Sequence, residues 1–234
     1  ELLDDATGDA VTFAKSGTYV LDLNGHTYTC TNDYDVIMVK SSGVDLTIQN
    51  GKLIGKGTNT YGVYVYSIKN VGPCDNVTVT LDQVGLEVTD QALGVNGTNN
   101  NNNLIVRNST VSSTTTAIYF TPISGKLTIE NSTVTGVNNA IVIKGGEVEI
   151  SGDSTVIHAT GEPKSIDKPY GGDPNDPGSF PVSGSAVYVE GGYKASDGSS
   201  PRPIQVNIQG GTFKSDQSAA LWGNFLDKDA QTIQ

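Results

Sequence analysis

The sequence predicts an all-β solenoid of about seven turns, each built from three short strands that stack on their counterparts above and below. Three observations predict it: apolar and polar residues alternate in short runs, the runs recur in a fixed order, and Gly or Asn recurs where the chain must bend. The clearest unit is Lys126 to Gly146, KLTIENSTVTGVNNAIVIKGG. Leu127 and Ile129 alternate with Thr128 and Glu130, Val134 lies between Thr133 and Thr135, and Ile141 and Ile143 alternate with Ala140 and Val142. Alternation sends successive side chains to opposite faces of a strand. A unit this small has no partner for its apolar face, so it requires copies of itself on either side.

The copies define columns. The first strand ends at Leu23, Ile48, Leu81, Val106, Ile129, Ile150 and Ile208 in successive turns. Two residues later stand Gly25, Asn50, Gln83, Asn108, Asn131, Gly152 and Gly210, residue types suited to a sharp corner because Gly and Asn tolerate left-handed backbone; stacked Asn amides are expected to bond along the rod. The second strand places Tyr28, Leu53, Leu86, Val111, Val134 and Phe213 inward, with one turn slipping to Val156. The third strand recurs as VIMV at 36, GVYV at 62, ALGV at 92, AIYF at 117, AIVI at 140, AVYV at 186 and ALWG at 220. Neighbouring strands lie ~4.8 Å apart, so seven turns make a rod of roughly 34 Å.

At this point the chain resembles the right-handed parallel β-helix of the pectate-lyase-like superfamily over nearly its whole length. Phrases such as LDLNGHTYT (21–29), LTIQNGKLIG (46–55) and NIQGGTFKSD (207–216) are similar to those of repeat-bearing secreted and surface proteins of bacteria. The resemblance implies the fold and a secreted or cell-surface location; it does not imply one activity, since the fold hosts many.

Taken in order, Val11 and Phe13 alternate with Thr12 and Ala14, which reads as a strand before the first full turn. His26 falls at a corner with no acid or nucleophile recurring beside it. Tyr66 to Asn76 is a long corner, a small lip, and Asn99 to Asn103 a polar corner. Sequons occur at Asn76, Asn96, Asn108 and Asn131, the last two explained by the repeating corner. Two insertions, 158–185 and 190–203, interrupt one turn; long loops on a regular scaffold are commonly functional. The first carries five prolines, and its GGDPNDPGS is the one stretch that invites calcium, through hard oxygen ligands without the spacing of a known loop. Neither end reads as a cap, so residues 1–234 are expected to be one β-helix domain cut from a longer protein.

Composition narrows the partners. A net charge of −11 and a pI of about 4.4, with no basic stripe, disfavour nucleic acid. No apolar run of membrane-spanning length occurs. Cys30 and Cys74 fall at different corners, so no bridge is expected, and two Cys and two His scattered along the chain do not make a zinc site.

Two outward constellations carry chemistry. On the third strand, Gly62, Ala92, Ala117, Ala140, Ala186 and Ala220 read as an outward floor of small residues, followed by Met38, Tyr64, Gly94, Tyr119, Val142, Tyr188 and Trp222. Tyr64, Tyr119, Tyr188 and Trp222 form an aromatic row, joined by Tyr170 and Phe180 of the insertion; exposed rings in a row suit a sugar chain, unless the insertion or another chain covers them. On the first strand, Asn24, Gln49, Asp82, Arg107, Glu130, Ser151 and Gln209 share a column. In pectate-lyase-like enzymes this region holds calcium on carboxylates and uses an Arg as base, or uses clustered Asp residues for acid–base work. Asp82, Arg107 and Glu130 are the matching candidates, but no adjacent Asp pair, Gly-His-Gly or Arg-x-Lys accompanies them. Outward Thr27-x-Thr29, Thr110-x-Ser112 and Thr133-x-Thr135 hint at a flat Thr array, interrupted by Lys52, Ile54, Glu87, Ile157 and Lys214. The expectation is therefore a non-catalytic, adhesin-like secreted or surface protein that binds a polysaccharide, glycan or host-surface protein, without a cofactor. A polysaccharide lyase or glycoside hydrolase is the alternative, and a structural stalk the third reading.

Overall fold

The computed structural model describes residues 1–68, 71–163, 183–191, 202–225 and 231–233. These contain no helix and form a parallel β-helix. The chain climbs through three faces per turn. The second and third faces begin with Ala6–Gly8 and Val11–Phe13, so a partial turn precedes the first full one, and Gln231–Ile233 adds a last rung to the first face. The strands Val44–Gly55 and Thr78–Val88 run unbroken through the first two faces, which join into a 14-stranded sheet; the third face is an 8-stranded sheet. Every pairing is parallel except a two-stranded hairpin, Ser67–Ile68 with Gly72–Pro73.

The interior is a continuous pile of aliphatic side chains. Leu46, Val79, Leu104, Leu127, Val148 and Val206 occupy one column of the first face, each paired with the next. All are at most 2 % exposed. Burying one such side chain contributes ~1.5–3 kcal/mol, so only the several inward side chains of each turn together work against the entropy of ordering it, ~1–2 kcal/mol per residue. Cys30 and Cys74 are buried, free thiols.

Corners turn on left-handed residues. Asn50, Gln83, Asn108 and Asn131 have φ of 58°, 57°, 51° and 48°. Their amides do not stack on each other as expected. Asn50 and Asn108 donate instead to the Asp22 and Asp82 carboxylates, because these point along the rod within reach. An amide-to-amide bond appears at the preceding corner, where Asn101 Nδ2 donates to Asn76 Oδ1 at 2.9 Å.

The register differs from the sequence reading at two turns. Leu21, not Leu23, pairs with Ile48, so Asp22 rather than Asn24 joins the Gln49 column. The cause is a first corner two residues longer, whose extra residue Leu23 is buried against the next turn, where a Cβ on Gly51 would lie 2.5 Å from the Leu23 Cβ. The residue stacked between Val134 and Phe213 is Ile157, not Val156, which faces outward; Ile157 therefore does not interrupt the threonine array. The first insertion begins later than expected, since His158 and Ala159 still belong to the strand Val156–Ala159. Asn99 and Asn102 are not a solvated corner. Both are fully buried, and they peg the lip: Asn99 Nδ2 donates to the Tyr66 carbonyl at 2.9 Å, Asn102 Nδ2 to that of Cys74 at 2.9 Å.

The small-residue column also faces inward. Ala92, Ala117, Ala140 and Ala186 are fully buried in the interior cluster. Small side chains are required there because the corner is tight: a Cβ on Gly62 would collide with the Ala92 carbonyl and reach Leu86 Cδ1 at 3.0 Å.

Candidate functional site

The outward row of the third face is continuous. Met38, Tyr64, Gly94, Tyr119, Val142, Tyr188 and Trp222 pair in sequence from rung to rung. The row divides in two. In its later half, Tyr119 and Tyr188 are 6 % and 0 % exposed and form a second apolar cluster with Val142, against which the half-buried Trp222 packs. Lys144 lies 5.4 Å from the Tyr119 ring centre and 3.0 Å from the Glu190 carboxylate, in an ion pair buried on both sides. Beside them Asn139 Oδ1 accepts from the Ser183 hydroxyl at 2.5 Å. These rings are packed in, not presented as an open strip. Tyr170, Phe180 and the GGDPNDPGS segment lie outside the described residues.

The earlier half keeps Met38 and Tyr64 partly exposed and holds a cluster that the column alone did not reveal. In the strand Tyr61–Val65 and the residue after it, the phrase YGVYVY places Tyr61, Tyr64 and Tyr66 together. Ring centres are 5.4 Å apart for Tyr61 and Tyr64, and 4.9 Å for Tyr64 and Tyr66, the latter pair edge to face. The Tyr64 ring fills the space over Gly94: a Cβ there would lie 2.7 Å from Tyr64 Cδ2 and Cε2, so the glycine lets the ring lie on the backbone. The Tyr66 hydroxyl reaches across the face and donates to Asp35 Oδ2 at 2.7 Å, while Lys40 Nζ stands 5.0 Å from the Tyr66 ring centre. Tyr34, 72 % exposed, adjoins Asp35 at the rim.

Asp35 is 1 % exposed and Gln91 3 %. They flank Tyr61 on the rungs before and after it. Asp35 Oδ1 and Gln91 Oε1 are buried and make no hydrogen bond among the described residues. Burial pushes the Asp35 carboxyl up from its usual range, against the Tyr66 hydroxyl and the Lys40 charge, which pull it down. Burial also raises the Tyr64 and Tyr66 phenols, so both remain neutral donors. Part of the signal is readable: three tyrosines fall in six residues, and Tyr66 has the outward parity of Tyr64, whereas Tyr61 has the parity of the inward Val63 and Val65 and meets Tyr64 only because the strand begins at a corner.

The first face carries the other constellation. Asp82, Arg107 and Glu130 are rung neighbours as expected. Arg107 Nη2 binds Asp82 Oδ2 at 3.0 Å and the Asn108 amide binds Asp82 Oδ1, so both carboxylate oxygens are engaged; Glu130 is exposed. The pair Lys126–Glu149 continues a charge ladder on the same face. His26 stands 3.6 Å from Asp5, at a corner. On the second face, the ion pair Lys52–Glu87 interrupts the threonines. Among the described residues, no group of three or more His, Cys, Asp or Glu is placed to hold a metal.

Fold and sites together define a parallel β-helix protein with a tyrosine-clustered outer face. No known family model matches the chain, and no curated protein matches it significantly.

Proposed function

We propose that the protein is a non-catalytic β-helix, secreted or displayed at a cell surface, that binds carbohydrate on the outward side of its third face. The contact centres on Tyr64 with Tyr61 and Tyr66, and Trp222 marks the far end of the same row. One observation carries this reading: three clustered, partly exposed tyrosine rings, each within 5.4 Å of a neighbour, with Gly94 leaving Tyr64 room to lie on the sheet. Sugar rings stack their C–H faces on such surfaces, and the phenols and rim side chains bond the hydroxyls. The likeness to the pectate-lyase-like superfamily and to bacterial surface repeats supports an extracellular setting. The enzyme alternative finds less support, because Asp82 is tethered by Arg107 and Asn108.

Glycan-array and calorimetric binding test the reading. Tyr64→Ala is expected to weaken binding about tenfold, equivalent to ~1.4 kcal/mol, while Arg107→Ala leaves it unchanged. Release of unsaturated or reducing sugar ends, abolished by Arg107→Ala, would overturn it in favour of an enzyme.

A further inference from the structure

Resting on that carbohydrate reading, we infer that the tyrosine cluster selects an amine-bearing sugar, a polymer or oligomer of unacetylated amino sugar, over neutral or acidic ones. Four observations converge on a cation. Three electron-rich ring faces meet within one cluster, an arrangement that attracts ammonium groups. The protein already places a cation there, its own Lys40 at 5.0 Å from the Tyr66 centre. Carboxylates outnumber that lysine: Asp35 and Asp90 both act electrostatically on Tyr61, and the chain as a whole carries −11. Finally, two buried side-chain oxygens of this cluster, Asp35 Oδ1 and Gln91 Oε1, make no hydrogen bond among the described residues, and both are acceptors. An ammonium offers three donors and no acceptor.

The geometry assigns roles. Asp35 lies beneath Tyr66, whose hydroxyl occupies one carboxylate oxygen and leaves the other for a donor once the ring moves aside. Gln91 Oε1 lies beside the Tyr64 ring above Gly94, since a Cβ at Gly94 would be 3.2 Å from that oxygen and 2.7 Å from the ring. Lys40 occupies one ring face as a built-in competitor. A uronic-acid chain would meet the Asp35 and Asp90 charges and find no arginine among the described residues of the cluster to receive it.

Binding of the full chain is measured for three oligosaccharides of equal length: β-1,4-glucosamine, its N-acetylated form, and galacturonate. The glucosamine oligomer is expected to bind at least tenfold tighter than the N-acetylated one, with galacturonate weakest. Asp35→Asn, which keeps an acceptor for Tyr66, should erase that advantage and leave N-acetylated binding in place. Lys40→Met, at a half-exposed position, should enlarge the advantage by removing the competitor. Equal binding of the two glucosamine forms, or tighter galacturonate, overturns the amine inference and leaves the carbohydrate reading standing. Absence of binding to all three and to a wider glycan array removes both.

Discussion

Tyr64 and Tyr188 occupy the same column of the same sheet, and their surroundings give them different work. Around Tyr64, the flanking positions hold Lys40, Tyr61 and Tyr66, and the ring stays partly exposed. Around Tyr188, the same face carries a buried Lys144–Glu190 pair and a second apolar cluster, and the ring is fully buried. Strand periodicity determines the direction in which a side chain points. Its accessibility depends on what lies across that face, so one outward column contains both the proposed binding surface and a packed stretch.

The largest difference between the halves is expected in their lysines. Lys144→Met removes the cation paired with the buried Glu190 carboxylate and should destabilise the fold by ~3–5 kcal/mol in urea denaturation. Lys40→Met removes a half-exposed cation from a ring face and should cost under ~1 kcal/mol. Comparable losses would remove the distinction between the halves.

Next come the rings. Tyr188→Ala should cost ~3–5 kcal/mol of stability, as for other buried aromatics. Tyr64→Ala should cost less than half as much, its main effect falling on glycan affinity. A Tyr64→Ala variant as unstable as Tyr188→Ala would make both residues structural.

A smaller effect is expected at Gly94. The new methyl of Gly94→Ala displaces the Tyr64 ring, costing ~1–3 kcal/mol by overpacking and weakening glycan binding with it. Unchanged affinity would mean that the seat of Tyr64 on the backbone is irrelevant to the ligand.

Much of this was legible in the sequence and some was not. Every third-strand pairing from Ile37 to Leu221 falls where the repeated phrases put it, because inward aliphatics at period two leave only one register with a filled interior. The first corner was misread because Leu23 continues the alternation of Leu21 while belonging to the bend. The alanine column was misassigned because a strand that starts at a tight corner turns its first side chains inward. The sequence marks Asn99 to Asn103 as a polar corner without saying that Asn99 and Asn102 are buried pegs, which they are because an amide that satisfies two backbone groups is at home inside. Of the tyrosine cluster the sequence points to Tyr64, whereas its companions Tyr61 and Tyr66 lie outside the outward column.

The smallest effect concerns pH and Asp35. Its carboxyl is raised above the ordinary value of 3.8, first by burial. A group with a raised folded-state pKa binds its proton more tightly when folded. Its cost to stability is absent below the unfolded pKa and grows as pH rises through the folded pKa. Asp35→Asn should therefore be neutral or stabilising near neutral pH, with the gain shrinking as the pH is lowered through the unfolded value. A variant that is less stable at neutral pH and recovers on acidification would reverse the sign.

The most direct test titrates the glucosamine oligomer against two variants that separate the halves, Tyr64→Ala and Tyr188→Phe, the latter keeping its ring. Affinity falling about tenfold in the first and holding in the second is the result this account requires. Affinity that survives Tyr64→Ala and fails in Tyr188→Phe would place the ligand on the half described here as packed, and contradict it.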